Sequence, residues 1–115
     1  MAKIFLDADT FIDINEGRNK TPIKQLAGQA LYVSVSSIGV WLYVYKRKIP
    51  GEKYENLFEI FNFVDLNQHI TEKSFIGPTV DFEDNVQLHS AVESNCDLFL
   101  TNDKNLLRMG YFGKV

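Results

Sequence analysis

The sequence places three aspartates, Asp7, Asp84 and Asp103, at positions where their carboxylates can lie close together in a fold. Asp7 and Asp103 each follow a short apolar run typical of a buried strand, and Asp84 lies in the first turn of a predicted helix. An acidic side chain at a buried edge is costly unless a positive group meets it. A hard divalent cation such as Mg²⁺ or Mn²⁺ would meet that need, because such ions prefer oxygen ligands.

Helical spacing predicts the direction of the Asp84 side chain. Asp84 is in line with Leu88 and Ala91, four and seven positions later, so its carboxylate points along the inward face of the helix. Glu83 is turned roughly 100° away from that face. Helix capping is the simpler explanation for acids at such places, since Asp9 and Asp84 both occupy favourable capping positions. Spacing alone leaves both interpretations open.

The elements that must position these acids alternate along the chain. Apolar runs predict strands at 3–7, 31–35 and 98–100, and a short one at 64–66. Helices are predicted from Asp9 or Thr10 to residue 14, from Thr21-Pro22 onward, from Ser36 or Ser37 to residue 45, over 52–63, and from an Asp81 cap to about residue 95. Residues 70–80 carry no clear pattern, and the tail from Lys104 is predicted to form no further helix.

Strands separated by helices predict a single α/β domain across residues 1–115. The expected architecture is a three-layer α/β/α sandwich around a central, mostly parallel sheet. Active sites of open parallel sheets form outside the carboxyl ends of the strands, which is where Asp7 and Asp103 should project.

Length and composition limit the class of protein. A chain of 115 residues has room for one core, and 45% hydrophobic with 23% charged residues is typical of a globular domain. The net charge of −3 excludes a general electrostatic attraction for nucleic acid, so RNA binding would need a local basic patch or bound metal. The single cysteine, Cys96, fits a reducing cytoplasm. No signal peptide or membrane-spanning run is expected, which favours a cytoplasmic protein without a membrane partner.

Three motifs together resemble the PIN-domain family. The segment LDADTFID (residues 6–13) resembles the family's opening motif, in which an acid ends the first strand; Asp9 and Asp13 match the polar residue and the second acid that follow. The segment DFEDNVQ (residues 81–87) is similar to the third motif and places its metal-binding acid on Asp84. The segment LFLTND (residues 98–103) is similar to the last motif, a strand followed by Thr-x-Asp.

The resemblance covers nearly the whole chain and implies a Rossmann-like, PIN-like fold with the activity of a metal-dependent ribonuclease. Within this family, the motifs most resemble those of VapC-like toxins, which belong to bacterial toxin–antitoxin pairs. The implied metal ligands for Mg²⁺ or Mn²⁺ are Asp7, Asp84 and Asp103, with Asp9 orienting the attacking water. Thr101 would orient a site carboxylate or bind its own turn. The implied partners are an RNA substrate, a small antitoxin that covers the cleft and a second copy in a homodimer.

One departure from the family pattern concerns its second motif. A strand, a Ser-rich turn and a helix are present at residues 34–41, but the expected Glu of that helix falls on Val40. A valine cannot hold a metal ion or a metal-bound water. Either Asp9 or Glu83 compensates, or the domain has lost activity, or the substitution was made or selected because an active toxin harms its host.

Three functional hypotheses therefore remain open. The first is a toxin-like endoribonuclease, and the second is a degenerate PIN domain that binds RNA or protein without catalysis. A receiver-like or nucleotide-binding domain is the third, but the chain has no glycine-rich phosphate loop and no suitably placed lysine after the later strands. Lys46 and Arg47 complement the dipole at a predicted helix C-terminus, and they are also candidate contacts for RNA phosphates.

Overall fold

Four parallel strands form one sheet in the computed structural model, which describes residues 1–18 and 23–115. The strands are β1 (Lys3–Leu6), β2 (Ala30–Ser34), β3 (Phe61–Val64) and β4 (Leu98–Leu100). Their order is β3-β2-β1-β4, so the chain moves outward from β1 to β3 and then returns to the other side of β1. The direction of winding therefore reverses between β1 and β4, and in such sheets ligands bind beside this reversal, at the carboxyl ends of the strands.

Helices connect the strands and cover both faces of the sheet. They are α1 (Ala8–Asn15), α2 (Ser36–Val44), α3 (Leu57–Ile60), α4 (Gln68–Ile76), α5 (Phe82–Glu93) and α6 (Lys104–Met109), with short 3₁₀ helices at Ile23–Leu26 and Glu52–Tyr54. This confirms the predicted α/β architecture, with a sheet that is parallel in all four strands. The predicted helix start at Thr21-Pro22 lies outside the described residues. No helix in the described ranges is both long and apolar enough to cross a bilayer.

The core lies on the two faces of β1. On one face, Leu6 packs with Phe11 of α1 and Trp41 of α2, and the Phe11 and Trp41 rings meet edge to face at 5.8 Å. On the other face, Phe5 is fully buried with Ala91 of α5. Alternate residues of a strand point to opposite faces, so both faces of this central strand must be covered. Cys96 is buried on the Phe5 side, where it packs as a small apolar residue.

The predicted helix over residues 52–63 is wrong. Only a 3₁₀ turn and the four residues of α3 are helical there, and Phe61–Val64 is strand β3, paired in parallel with β2. The apolar residues of this segment fit helical spacing, but Phe61 and Phe63 also alternate as a strand requires. Burial decides between the two patterns, because Phe61 and Phe63 pack on the Phe11 ring at 5.1 and 6.0 Å.

Two further boundaries differ from the prediction. Helix α1 begins at Ala8, because the Asp7 carboxylate, instead of Asp9 or Thr10, caps it by accepting the Thr10 N–H. The tail predicted to lack a helix contains α6, capped by Asp103 and followed by Gly110 with a φ of 81°. A glycine at positive φ is a common way to end a helix. Residues 70–80, which carry no clear sequence pattern, contain most of α4, capped by the Asn67 side chain.

Candidate metal centre

The carboxyl ends of β1 and β4 bring Asp7 and Thr101 into contact. Asp7 is 7% exposed and follows β1 directly, and its N–H bonds to the carbonyl of Leu100 at 3.2 Å. Its Oδ1 accepts the Thr10 N–H at 2.9 Å, and its Oδ2 accepts a hydrogen bond from the Thr101 hydroxyl. Both carboxylate oxygens are thus held by donors from different elements, which fixes the side chain in one orientation.

Asp103 is linked to the same network. Its N–H donates to Oγ1 of Thr101 at 3.0 Å. Its Oδ1 accepts the N–H groups of Asn105 and Leu106 at 2.8 and 3.1 Å, which caps α6. Thr101 therefore makes both predicted kinds of contact, with a site carboxylate and with its own turn. Asp103 is partly exposed, and it lines the same cleft as Asp7.

Asp84 reaches this region from the first turn of α5. Its N–H donates to Oδ1 of Asp81, the cap of that helix, at 2.9 Å. The Asp84 side chain is partly exposed, while Leu88 and Ala91 on the same side of the helix are buried. Asp84 lines the same cleft as Asp7. Glu83, expected to turn away, also reaches the cleft.

One cleft of about 200 Å³ joins these acids. Six of its nine lining residues are carboxylates, so nearly every polar group that faces it is an oxygen. Among the residues whose side chains the structure describes, no lysine or arginine lines this cleft. The lining residues are Asp7, Ala8, Asp9, Val40, Asp81, Glu83, Asp84, Gln87 and Asp103.

Burial and mutual repulsion raise the pKa of several of these acids. The pKa of Asp84 rises to about 6, first because of burial and then because of nearby carboxylates, with Asp81 ahead of Asp103. Burial also raises the pKa of Asp9, with Asp7 adding to the effect, and the pKa of Glu83. A bound cation would stabilise these closely spaced carboxylates, because its positive charge offsets their mutual repulsion.

The donor chemistry fits a hard divalent cation, although no ligand set is fully assembled. Within the described ranges, no three His, Cys, Asp or Glu side chains lie close enough to hold one metal ion together. Asp7, Asp84 and Asp103 therefore share a cleft without forming a closed cage. Mg²⁺ commonly binds through one or two carboxylates and keeps several waters, which this open arrangement can accommodate.

Val40 lies where the PIN resemblance expects a glutamate. Its side chain lines the acidic cleft and packs against the core cluster that contains Trp41. Helix α2 therefore faces the acids with an apolar group.

The predicted phosphate contacts do not reach the cleft. Arg47 forms an ion pair with Glu16, and neither Lys46 nor Arg47 lines the acidic cleft. Among the described side chains, Arg18 is a cation beside the site; it bonds to Asp13 at 3.1 Å and lines an adjoining pocket shared with Asp9 and Asp103. Neither the position of Arg18 in a predicted loop nor its spacing from other residues indicated that it would lie beside these acids. Gln87 could have been found from the sequence, because it stands three positions after Asp84 on a helix.

Neither a protein-family model nor a curated protein sequence matches the chain. The site must therefore be interpreted from its own residues.

Proposed function

We propose that this domain is a metal-dependent endoribonuclease of the PIN type, which hydrolyses RNA phosphodiesters with Mg²⁺ or Mn²⁺. The observation that carries the proposal is the common cleft of Asp7, Asp84 and Asp103 at the reversal point of a parallel sheet. Three separate elements supply these acids, and they agree in order with the three motifs of the PIN resemblance. Six carboxylates in the lining of the cleft favour a hard cation over a nucleotide phosphate, which they would repel.

Each acid has a part that follows from its surroundings. Asp7, held by Thr10 and Thr101, is the fixed ligand, and Asp84 is the second. Asp103 binds directly or through water, because one of its oxygens already caps α6. A bound divalent cation lowers the pKa of a water molecule and neutralises charge on the phosphate. Asp9, exposed at the rim with a raised pKa, orients the attacking water and accepts its proton.

RNA is the expected substrate, and a small antitoxin that covers the cleft is the expected partner. The acidic cleft repels a phosphate backbone until a cation is bound, so substrate binding should depend on metal. Arg18 in the adjoining pocket is the described cation best placed to meet a phosphate. A cytoplasmic location and a homodimer belong to the same proposal.

Val40 favours a second candidate function. Its apolar side chain lines the cleft where the resemblance expects an acid, so one of the acids that the PIN pattern implies is missing. A degenerate domain that binds RNA or protein without cleaving it is the alternative. Metal binding with no cleavage would support this alternative.

The test combines melting temperature with cleavage of a mixed RNA substrate. Mn²⁺ should raise the melting temperature, because a ligand that binds only the folded state stabilises it. Asp7→Asn and Asp84→Asn should each abolish that rise and the cleavage. Asp65→Asn is the matched control, since Asp65 is an exposed acid just after β3 that does not line the cleft. A melting temperature indifferent to millimolar Mn²⁺ and Mg²⁺ would reject the proposal.

A further inference from the structure

One buried polar atom at the acidic cleft has no hydrogen-bond partner. Gln87 is 2% exposed, and its side chain lines the cleft. Its Nε2 donates to Oγ of Ser37 at 3.3 Å, whereas its Oε1 meets no donor among the described residues. Nearly all buried side-chain oxygens in folded proteins have a partner, so an orphan beside a cleft points to a bound water or ion.

The position of Gln87 relates it to both walls of the cleft. It stands three positions after Asp84 on α5, a spacing that makes two side chains neighbours on a helix surface. Its bond to Ser37 ties it to α2, one turn before Val40 on the same helix. The Gln87 amide therefore lies between the acid of α5 and the part of α2 where a carboxylate is missing.

We propose that Oε1 of Gln87 is an oxygen ligand of the cation in this cleft, or of its coordinated water, in place of the carboxylate missing at Val40. Amide oxygens serve as ligands of hard cations alongside carboxylates. This role rests on the proposed metal site. Because the amide is neutral, the site keeps an oxygen donor without adding charge to a cleft already lined by six carboxylates.

Gln87→Met tests the role, because methionine has a similar length and lacks the amide oxygen. Titration of Mn²⁺, followed by the electron paramagnetic resonance signal of the free ion, should show affinity reduced by about tenfold or more. Without metal, the variant should melt somewhat lower, because the hydrogen bond to the buried Ser37 hydroxyl is lost, so the ligand role is judged by Mn²⁺ affinity. A purely structural Gln87 would show the same lower melting temperature and leave Mn²⁺ affinity unchanged.

Ser90→Ala is the matched control. Ser90 lies on the same helix and also has a buried oxygen without a partner, but it does not line the acidic cleft. Its replacement should leave Mn²⁺ affinity at the wild-type value. Asp84→Asn gives the decrease in Mn²⁺ affinity that is expected when a carboxylate ligand is removed.

Gln87→Glu keeps the inference testable if Gln87→Met folds poorly. A carboxylate at this place should tighten Mn²⁺ binding, because cation affinity increases with the charge of the ligands, and tightening supports the ligand role. Wild-type Mn²⁺ affinity in Gln87→Met, or no gain in Gln87→Glu, overturns the role of Gln87 while the Asp84→Asn loss preserves the metal site. Absence of Mn²⁺ binding in the wild-type protein overturns both proposals.

Discussion

The hydroxyl of Thr101 donates a hydrogen bond to Oδ2 of Asp7 across 94 positions of sequence. The same hydroxyl accepts the N–H of Asp103 at 3.0 Å. Because β1 and β4 are neighbours in the sheet, one short side chain can fix the orientation of the first acid and the start of α6. This contact therefore links the segment that follows β1 to the segment that follows β4 at the candidate site.

Thr101→Val should separate this positioning role from simple packing. Valine has the same shape but no hydroxyl, so Asp7 loses a donor and the Asp103 N–H loses an acceptor. We expect the free energy of unfolding to fall by about 1–3 kcal/mol, the usual cost of unpaired buried polar groups. Mn²⁺ affinity should also fall, because Asp7 is no longer held. Urea denaturation and Mn²⁺ titration measure the two effects.

Thr101→Ser is the control for that experiment, since serine keeps the hydroxyl and loses only a methyl group. It should bind Mn²⁺ nearly as well as wild type. If Thr101→Val binds Mn²⁺ as tightly as Thr101→Ser, the hydroxyl has no part in positioning Asp7 for a cation.

The raised pKa of Asp84 predicts how stability changes with pH. In the folded protein this pKa is about 6, against an ordinary value of 3.8, so the folded state holds the proton over a pH range in which the unfolded state has lost it. The free energy of unfolding should therefore decrease as the pH rises from 3.8 to about 6. Asp84→Asn should remove part of this decrease in metal-free protein. Saturating Mn²⁺ should also reduce it, because the cation stabilises the ionised carboxylate.

Substitutions of Asp81 separate charge from capping in this effect. Among the neighbouring carboxylates, Asp81 has the largest influence on the pKa of Asp84, and its side chain also caps α5. Asp81→Asn keeps a good cap and removes the charge, so the pH dependence should weaken with little loss of stability. Asp81→Ala should weaken it equally and lower stability by about 1 kcal/mol. An unchanged pH profile in both variants would exclude this electrostatic coupling.

Arg18 is expected to contact RNA without taking part in metal binding. Its side chain is 46% exposed, and it lines the pocket beside the acids. Arg18→Gln should weaken RNA binding several-fold and reduce its salt dependence, because one phosphate contact is lost. Mn²⁺ affinity should stay close to wild type. Filter binding at several salt concentrations measures this, and Arg18→Lys, which keeps the charge, is the control.

Much of the fold could be predicted, because the apolar patterns of the sequence coincide with the segments that are buried in the structure. The runs before Asp7 and after Asp97 are apolar and short, and both are strands. Residues 61–64 could not be assigned in this way, because their apolar spacing satisfies a helix and a strand at once. Pairing with β2 and packing on Phe11 decide the outcome, and both are long-range contacts that local sequence does not contain.

The candidate site was partly predictable for the same reason. The acids at strand ends could be placed from topology, since parallel strands end at one edge. Arg18 could not, because its relevance depends on which side chains face it across the fold. Helical spacing could place Gln87 beside Asp84, but it could not show the contact of Gln87 with Ser37 of α2. Asp103 illustrates a further difficulty, as it lines the cleft and caps α6, whereas the prediction assigned it only to the metal. One carboxylate can serve both purposes because it has two oxygens.

Val40→Glu tests whether the site lacks only one oxygen donor. Val40 is partly buried, lines the cleft and packs against the core cluster of Trp41. Without metal, a carboxylate there should lower the melting temperature, because it replaces an apolar contact and adds charge beside other acids. With Mn²⁺ the loss should be reversed, since a further carboxylate on α2 can hold the cation or its water. Ribonuclease activity should appear or increase together with Mn²⁺ affinity.

Val40→Gln is the control, because it has the length of glutamate without the charge. The glutamate variant should gain more from Mn²⁺ than the glutamine variant, measured as the difference between melts with and without the ion. Reversal by metal is what separates repair of a site from damage to the core, since a disrupted core would be destabilised equally in both conditions. If Val40→Glu loses the same stability with and without Mn²⁺ and cleaves no RNA, Val40 is a core residue only. The binding-module function would then be the better account of this cleft.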